Sequence, residues 1–214
     1  MPPIVPLLSA AVSAVFAIVV LLQYARRRRR YQLVWGTGLA MFSIAATAGF
    51  LARSGGATAV EYRVFYLFGA ILNVAWLAAG TVALLARRRV TDFTLAGVLA
   101  FSAVSTLVVL SSPVDLSAAI DTGRGFQDVP GPRILAAVGS GLGTVVLVGG
   151  ALLSGWGFAR RGHQARRALA NVIIAAGVII TAAGGTATFS GASGVVELSN
   201  LIGITVMFLG FLLV

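Results

Sequence analysis

Six polar side chains sit in or beside runs of this chain that are otherwise built for hydrocarbon. Glu197 and Asn200 fall in the terminal stretch "SGVVELSNLIGITVMFLGFLLV", three residues apart and therefore on one face of a helix. In "EYRVFYLFGAILNVAWLAAG", Arg63, Tyr66, Ala70 and Asn73 recur at steps of three and four, a stripe on a second helix. Arg133 opens a third apolar run. A carboxylate turned toward acyl chains is unfavourable, so Glu197 must face protein or a water-filled cavity. Arg63, or the equivalent Arg133, is its expected partner, with Tyr66, Asn73 and Asn200 extending the polar lining inward. Such a constellation can bind a small polar group; the same ion pair can also serve purely to fix helix order.

Other chemistries are set aside by what the chain lacks. Without cysteine there are no disulfides, thiolate metal sites or iron–sulfur clusters. One histidine, His163, excludes haem held by paired histidines and most zinc sites. All sixteen basic residues are arginine, so no lysine can form a retinal Schiff base. "GASG" at 191–194 matches the GxSG of rhomboid-type proteases, but their serine needs a nearby histidine. Here His163 lies in a loop across the membrane from Ser193. The six carboxylates are scattered rather than clustered for a metal-dependent phosphotransfer. "GSGLG" lacks the strand and lysine of a phosphate loop. A non-enzymatic protein without cofactor or metal is expected.

The elements that must position these residues are membrane spans. The 214 residues are 58% hydrophobic and 10% charged, far from the roughly one-quarter charged composition of a soluble domain. Seven runs approach the ~20 apolar residues that cross a bilayer: about 4–25, 31–52, 62–86, 92–112, 133–158, 166–188 and 193–214. The expected fold is all-α, a single seven-helix transmembrane bundle. Twelve of the sixteen arginines lie in "ARRRRRY", "ARRRVTD" and "ARRGHQARR", after spans one, three and five. The positive-inside rule then puts the N-terminus outside and the C-terminus in the cytoplasm. Span one, lacking a basic n-region, is expected to be an uncleaved anchor. The net charge of +10 is read as topogenic, not as a nucleic-acid surface.

Finer expectations concern packing. In "SSPVDLSAAIDTGRGFQDVPGP", Ser112 could cap a short helix that begins at Pro113, and the loop could act as a lid over an outward cavity. Spans three and five show a faint likeness at an offset of 70, with Arg63, Gly69 and Gly80 matching Arg133, Gly139 and Gly150. Gly139, Gly143 and Gly150, and likewise Gly177, Thr181 and Gly185, give spans five and six smooth faces for each other or for span seven. Trp35, Trp76 and Trp156 suit interfacial anchoring. Beyond Asn171, Ser154 and Gln23 the inner half offers few strong polar groups, which favours a recess open to the outside.

"YRVFYLFGAILNVAWLAAGTVALLARRR", with the terminal "VMFLGFLLV", resembles an uncharacterised group of bacterial seven-helix integral membrane proteins. Tyr62, Arg63, Tyr66, Phe68, Gly69, Ala70 and Gly80 are the most distinctive positions. That resemblance implies a bacterial inner membrane and brings no activity. In layout the chain is also similar to the seven-helix sensory domains that precede bacterial histidine kinases, though no output domain follows span seven here. The expected function is recognition of a small extracytoplasmic or membrane-dissolved ligand, relayed to a membrane or cytoplasmic protein partner. The alternatives are a small-solute transporter using Glu197 as a proton or cation site, and a scaffold acting through its glycine-rich faces.

Overall fold

Seven helices, each long and apolar enough to cross a membrane, make up the computed structural model, which describes residues 4–56, 58–117, 124–160, 165–189 and 194–213. They are α1 Ile4–Arg27, α2 Arg30–Gly55, α3 Ala59–Leu85, α4 Arg88–Ser111, α5 Pro130–Arg160, α6 Ala165–Phe189 and α7 Val195–Leu212. Length and composition make this a multi-pass membrane protein. His163, Ser193 and Asp121 lie outside the described residues.

Local chemistry explains the helix ends. Gly56, at φ 88°, stops α2. Thr58 and Glu61 form a capping box at the start of α3, where the Glu61 amide donates to Thr58 Oγ1 at 3.2 Å and the Thr58 amide donates to Glu61 Oε2 at 2.9 Å. Pro130 starts α5 at a position where no amide is needed. Gly194, at φ 77°, precedes α7. Ser112 does not cap the following loop: its hydroxyl bonds back to the Val108 carbonyl at 2.7 Å, closing α4. Asp115 takes that role instead, accepting from the Ser117 amide at 2.9 Å and its hydroxyl at 2.6 Å.

Six helices close a ring in the order α1, α2, α3, α5, α6, α7, with α7 returning to α1. α4 stands outside it against α3, with only Thr91, Ser105 and Val109 buried. Trp76 of α3 holds it there, its indole N–H donating to Ser102 Oγ at 3.1 Å. Trp35 likewise acts between helices, donating to the Leu77 carbonyl at 3.0 Å, whereas Trp156 is exposed beneath the Arg160 guanidinium, 3.9 Å from its ring centre. The belt expected of all three tryptophans fits only Trp156, because the other two find acceptors inside the protein.

α3 and α5 are not continuous α-helices. π-helical turns occupy Tyr66–Leu72 and Ala137–Leu142, at nearly the same 70-residue offset as the sequence likeness, and they pack side by side. The Asn73 amide donates to the Phe68 carbonyl, five residues back. Asn73 Oδ1 accepts from the Val74 amide at 2.6 Å, and the Ala70 carbonyl accepts the Ser140 hydroxyl at 2.6 Å. Val74 N–H and Ala70 C=O are the pair that an unbroken α-helix would join. Each has a side-chain partner.

Glycine permits this approach. A Cβ at Gly139 would strike the Ile71 carbonyl oxygen, one at Gly143 would lie 2.9 Å from the Val74 side chain, and one at Gly150 would strike Thr81. The glycine face of α5 therefore serves α3, not α6 or α7. The face of α6 does meet α7, where a Cβ at Gly177 would come within 2.6 Å of Met207. Gly139→Leu is expected to lower resistance to denaturation by about 1–3 kcal/mol. Gly157→Leu, where an added Cβ meets nothing, should leave it unchanged or raise it. Unfolding of both variants in reconstituted bilayers checks the contrast.

Candidate functional site

At the arginine-sparse end, α2, α3, α5, α6 and α7 surround a cavity of about 700 Å³. Its walls are mostly apolar, and its floor is Leu39, Leu77, Leu147 and Met207. Tyr66, Asn73, Arg133, Glu197 and Asn200 all line it; Arg63 does not.

Glu197 is buried in the first turn of α7, where the helix dipole favours a carboxylate. Its partner is neither Arg63 nor Arg133. Oε1 accepts from Arg53 Nη2 in a close ion pair, and Arg53 is itself largely covered. Arg63 instead donates to the Ser112 carbonyl at 2.9 Å, tying α3 to the end of α4, and Arg133 donates to the Gln127 carbonyl at 2.7 Å. The reason is where α2 ends. Ending span two at residue 52 leaves Arg53 to a loop, but the helix runs three residues further and keeps it in its last turn, level with Glu197. α2 and α7 are not neighbours in the ring, so the pair links two walls of the cavity rather than zipping an extended interface.

One further group came without a sequence signal. Phe126, from the loop before α5, is fully buried against Tyr62 and Tyr66, with ring centres 5.3 and 5.0 Å away. The Tyr62 hydroxyl is hydrogen-bonded to backbone at Gly125 and Phe126. With Arg124 and Gln127 also lining the cavity, this loop covers it from the arginine-sparse end. Its glycine-rich, unpatterned sequence gave no hint that one phenylalanine would plug the bundle. Asn73 is buried and reaches the cavity, but its oxygen is committed to the π-turn, so it is less available to a ligand than its position in the stripe implies.

Among the described residues, two polar atoms at this site lack hydrogen-bond partners: the Tyr66 hydroxyl and Glu197 Oε2, on residues that are at most 6% exposed. No protein family, characterised protein or solved structure matches the chain.

Glu197→Ala, which strands the Arg53 guanidinium, is expected to cost about 1–3 kcal/mol, scaled down from a fully buried pair because Arg53 retains some exposure. Glu197→Ala in an Arg53→Ala background should cost much less, whereas an Arg63→Ala background should leave the full effect. A double-mutant cycle on unfolding in bilayers reads the difference.

Proposed function

We propose that this chain is a non-enzymatic protein of a bacterial inner membrane that recognises a small extracytoplasmic or membrane-dissolved ligand in this recess. The positive-inside rule places the recess at the outer side, with the N-terminus outside and the C-terminus in the cytoplasm. One observation carries the reading: the two unpartnered polar atoms are on residues that line a cavity within the ~300–1,000 Å³ range of small-molecule sites. Apolar walls with a few convergent polar groups are the usual make-up of such sites. The Phe126 loop is the element that ligand entry must displace, and a separate membrane or cytoplasmic protein would receive the signal.

Transport of a small solute is the second reading, and it too has one observation in its favour. On the arginine-dense side of the floor lies a smaller cavity of about 60 Å³. Leu39, Leu77, Leu147 and Met207 bound both, as the gate between two half-paths would. A cation using Glu197, however, has to displace Arg53 first. A scaffold would have to use glycines other than Gly139, Gly143, Gly150 and Gly177, which are taken up by α3 and α7.

Gly185 lines the cavity, and a Cβ there meets nothing, so Gly185→Leu should fill the space without disturbing the fold. Wild-type protein purified gently from its native membrane is expected to carry a stoichiometric small molecule in native mass spectra, and Gly185→Leu to lose it at unchanged stability. An empty wild-type protein whose spectrum matches that of the variant would remove the reading. Uptake into proteoliposomes that disappears in Glu197→Gln would move the assignment to transport.

A further inference from the structure

We infer that the recess selects a single-chain amphipathic anion, its oxyanion head held at the mouth by Arg133 and Tyr66 and its apolar tail directed toward the Leu39, Leu77, Leu147 and Met207 floor. This rests on the ligand-binding reading above and names its chemical class.

Charge is the first argument. Among the described residues, the helices bring two guanidiniums to the cavity, those of Arg53 and Arg133, against the single carboxylate of Glu197. Glu197 is spent on Arg53. Arg133 has no carboxylate within salt-bridge distance among the described residues, and its one hydrogen bond, from Nη1 to the Gln127 carbonyl, leaves most of its five N–H donors for a ligand. A guanidinium fork is suited to carboxylate and phosphate oxygens.

Donor chemistry is the second, independent argument. Tyr66 lines the cavity together with Arg133, and its buried hydroxyl, under the Phe126 ring, has no hydrogen-bond partner among the described residues. Once the Phe126 loop yields to a ligand, a phenol and a guanidinium on one cavity are a donor pair for an oxyanion. The unpartnered Glu197 Oε2 repels an anionic head, so the head belongs on the α3–α5 side of the mouth, away from α7. Shape is the third. Below this rim Ala136, Val74, Val178 and Ile204 lead to the four-residue floor, and the polar neighbours Asn73, Ser140 and Thr181 are bonded to helix backbone. A compact hydrophilic anion would leave that wall wet; one alkyl chain would cover it.

The test uses the full chain in nanodiscs of neutral phosphatidylcholine, with empty nanodiscs as the partition reference. Equilibrium binding is measured for dodecanoate, dodecyl phosphate, dodecan-1-ol and dodecyltrimethylammonium. At least one anion should bind about tenfold or more tightly than the alcohol, and the tighter anion identifies the head as carboxylate or phosphate. Arg133→Gln and Tyr66→Phe should each bring the anion down toward the alcohol while alcohol binding stays constant. Arg133 is exposed, so its variant folds whatever becomes of Tyr66→Phe. Anions that bind no better than the alcohol, a preference that survives Arg133→Gln, or tightest binding of the cation would each overturn the assignment while leaving a ligand pocket in place. If none of the four exceeds the empty-nanodisc control, the pocket reading falls with it.

Discussion

Carrying a carboxylate into a low-dielectric helix bundle costs several kcal/mol unless a cation meets it, and the arginine-sparse end of this protein is arranged around that requirement. Meeting Glu197 obliges α2 to extend through Arg53 before Gly56 ends it, and α7 to begin just past Gly194, so that the two charges arrive at one level. Because α1 separates α2 from α7 in the ring wall, the pair joins two cavity walls that do not otherwise pack closely. A bridge in that position holds the mouth of the recess at a set width. It does so without filling the interior, which an apolar contact of equal reach would do.

A second constraint acts on the backbone. In hydrocarbon, each amide and carbonyl needs a partner within the protein. The π-turns of α3 and α5 re-aim amides and carbonyls and would leave some of them bare. Asn73 and Ser140 remove that cost, and Ser140 does so from the neighbouring helix. The π-turn of α3 is therefore a property of the α3–α5 pair, dependent on the missing Cβ at Gly139. The widened turns set Tyr66 and Asn73 on the cavity side of α3, so the irregular backbone and the recess have one origin.

Span number, the basic loops and the inward turn of Glu197 were legible because each follows from a single strong penalty: charge or bare backbone in lipid. Five of the six candidate residues, Tyr66, Asn73, Arg133, Glu197 and Asn200, do line one cavity. Partner identity was not legible. Arg53, Arg63 and Arg133 stand at similar depths, and which one meets Glu197 depends on helix order in the ring and on where α2 stops, neither of which a hydrophobicity pattern encodes. Gly139 and Gly143 were readable as a contact face, but glycine spacing carries no address, and that face belongs to α3. Nothing in the pattern announced the π-turns, since a π-turn keeps the composition of its helix, and nothing marked Phe126 apart from other loop residues.

Unpartnered polar atoms alone do not mark a site in this molecule. Gln32 Oε1, Arg63 Nε and Ser105 Oγ are buried without hydrogen bonds as well, and none of their residues borders the cavity. Such a group costs about 1–3 kcal/mol wherever it sits. What separates Tyr66 and Glu197 is that their residues line a cavity large enough to admit a small molecule. An apolar neighbour could cover Gln32 or Ser105 more closely and gain little, whereas a ligand that satisfies the Tyr66 hydroxyl recovers its cost as binding energy. That binding energy is available on the α3–α5 side, where the π-turns and the Phe126 loop meet.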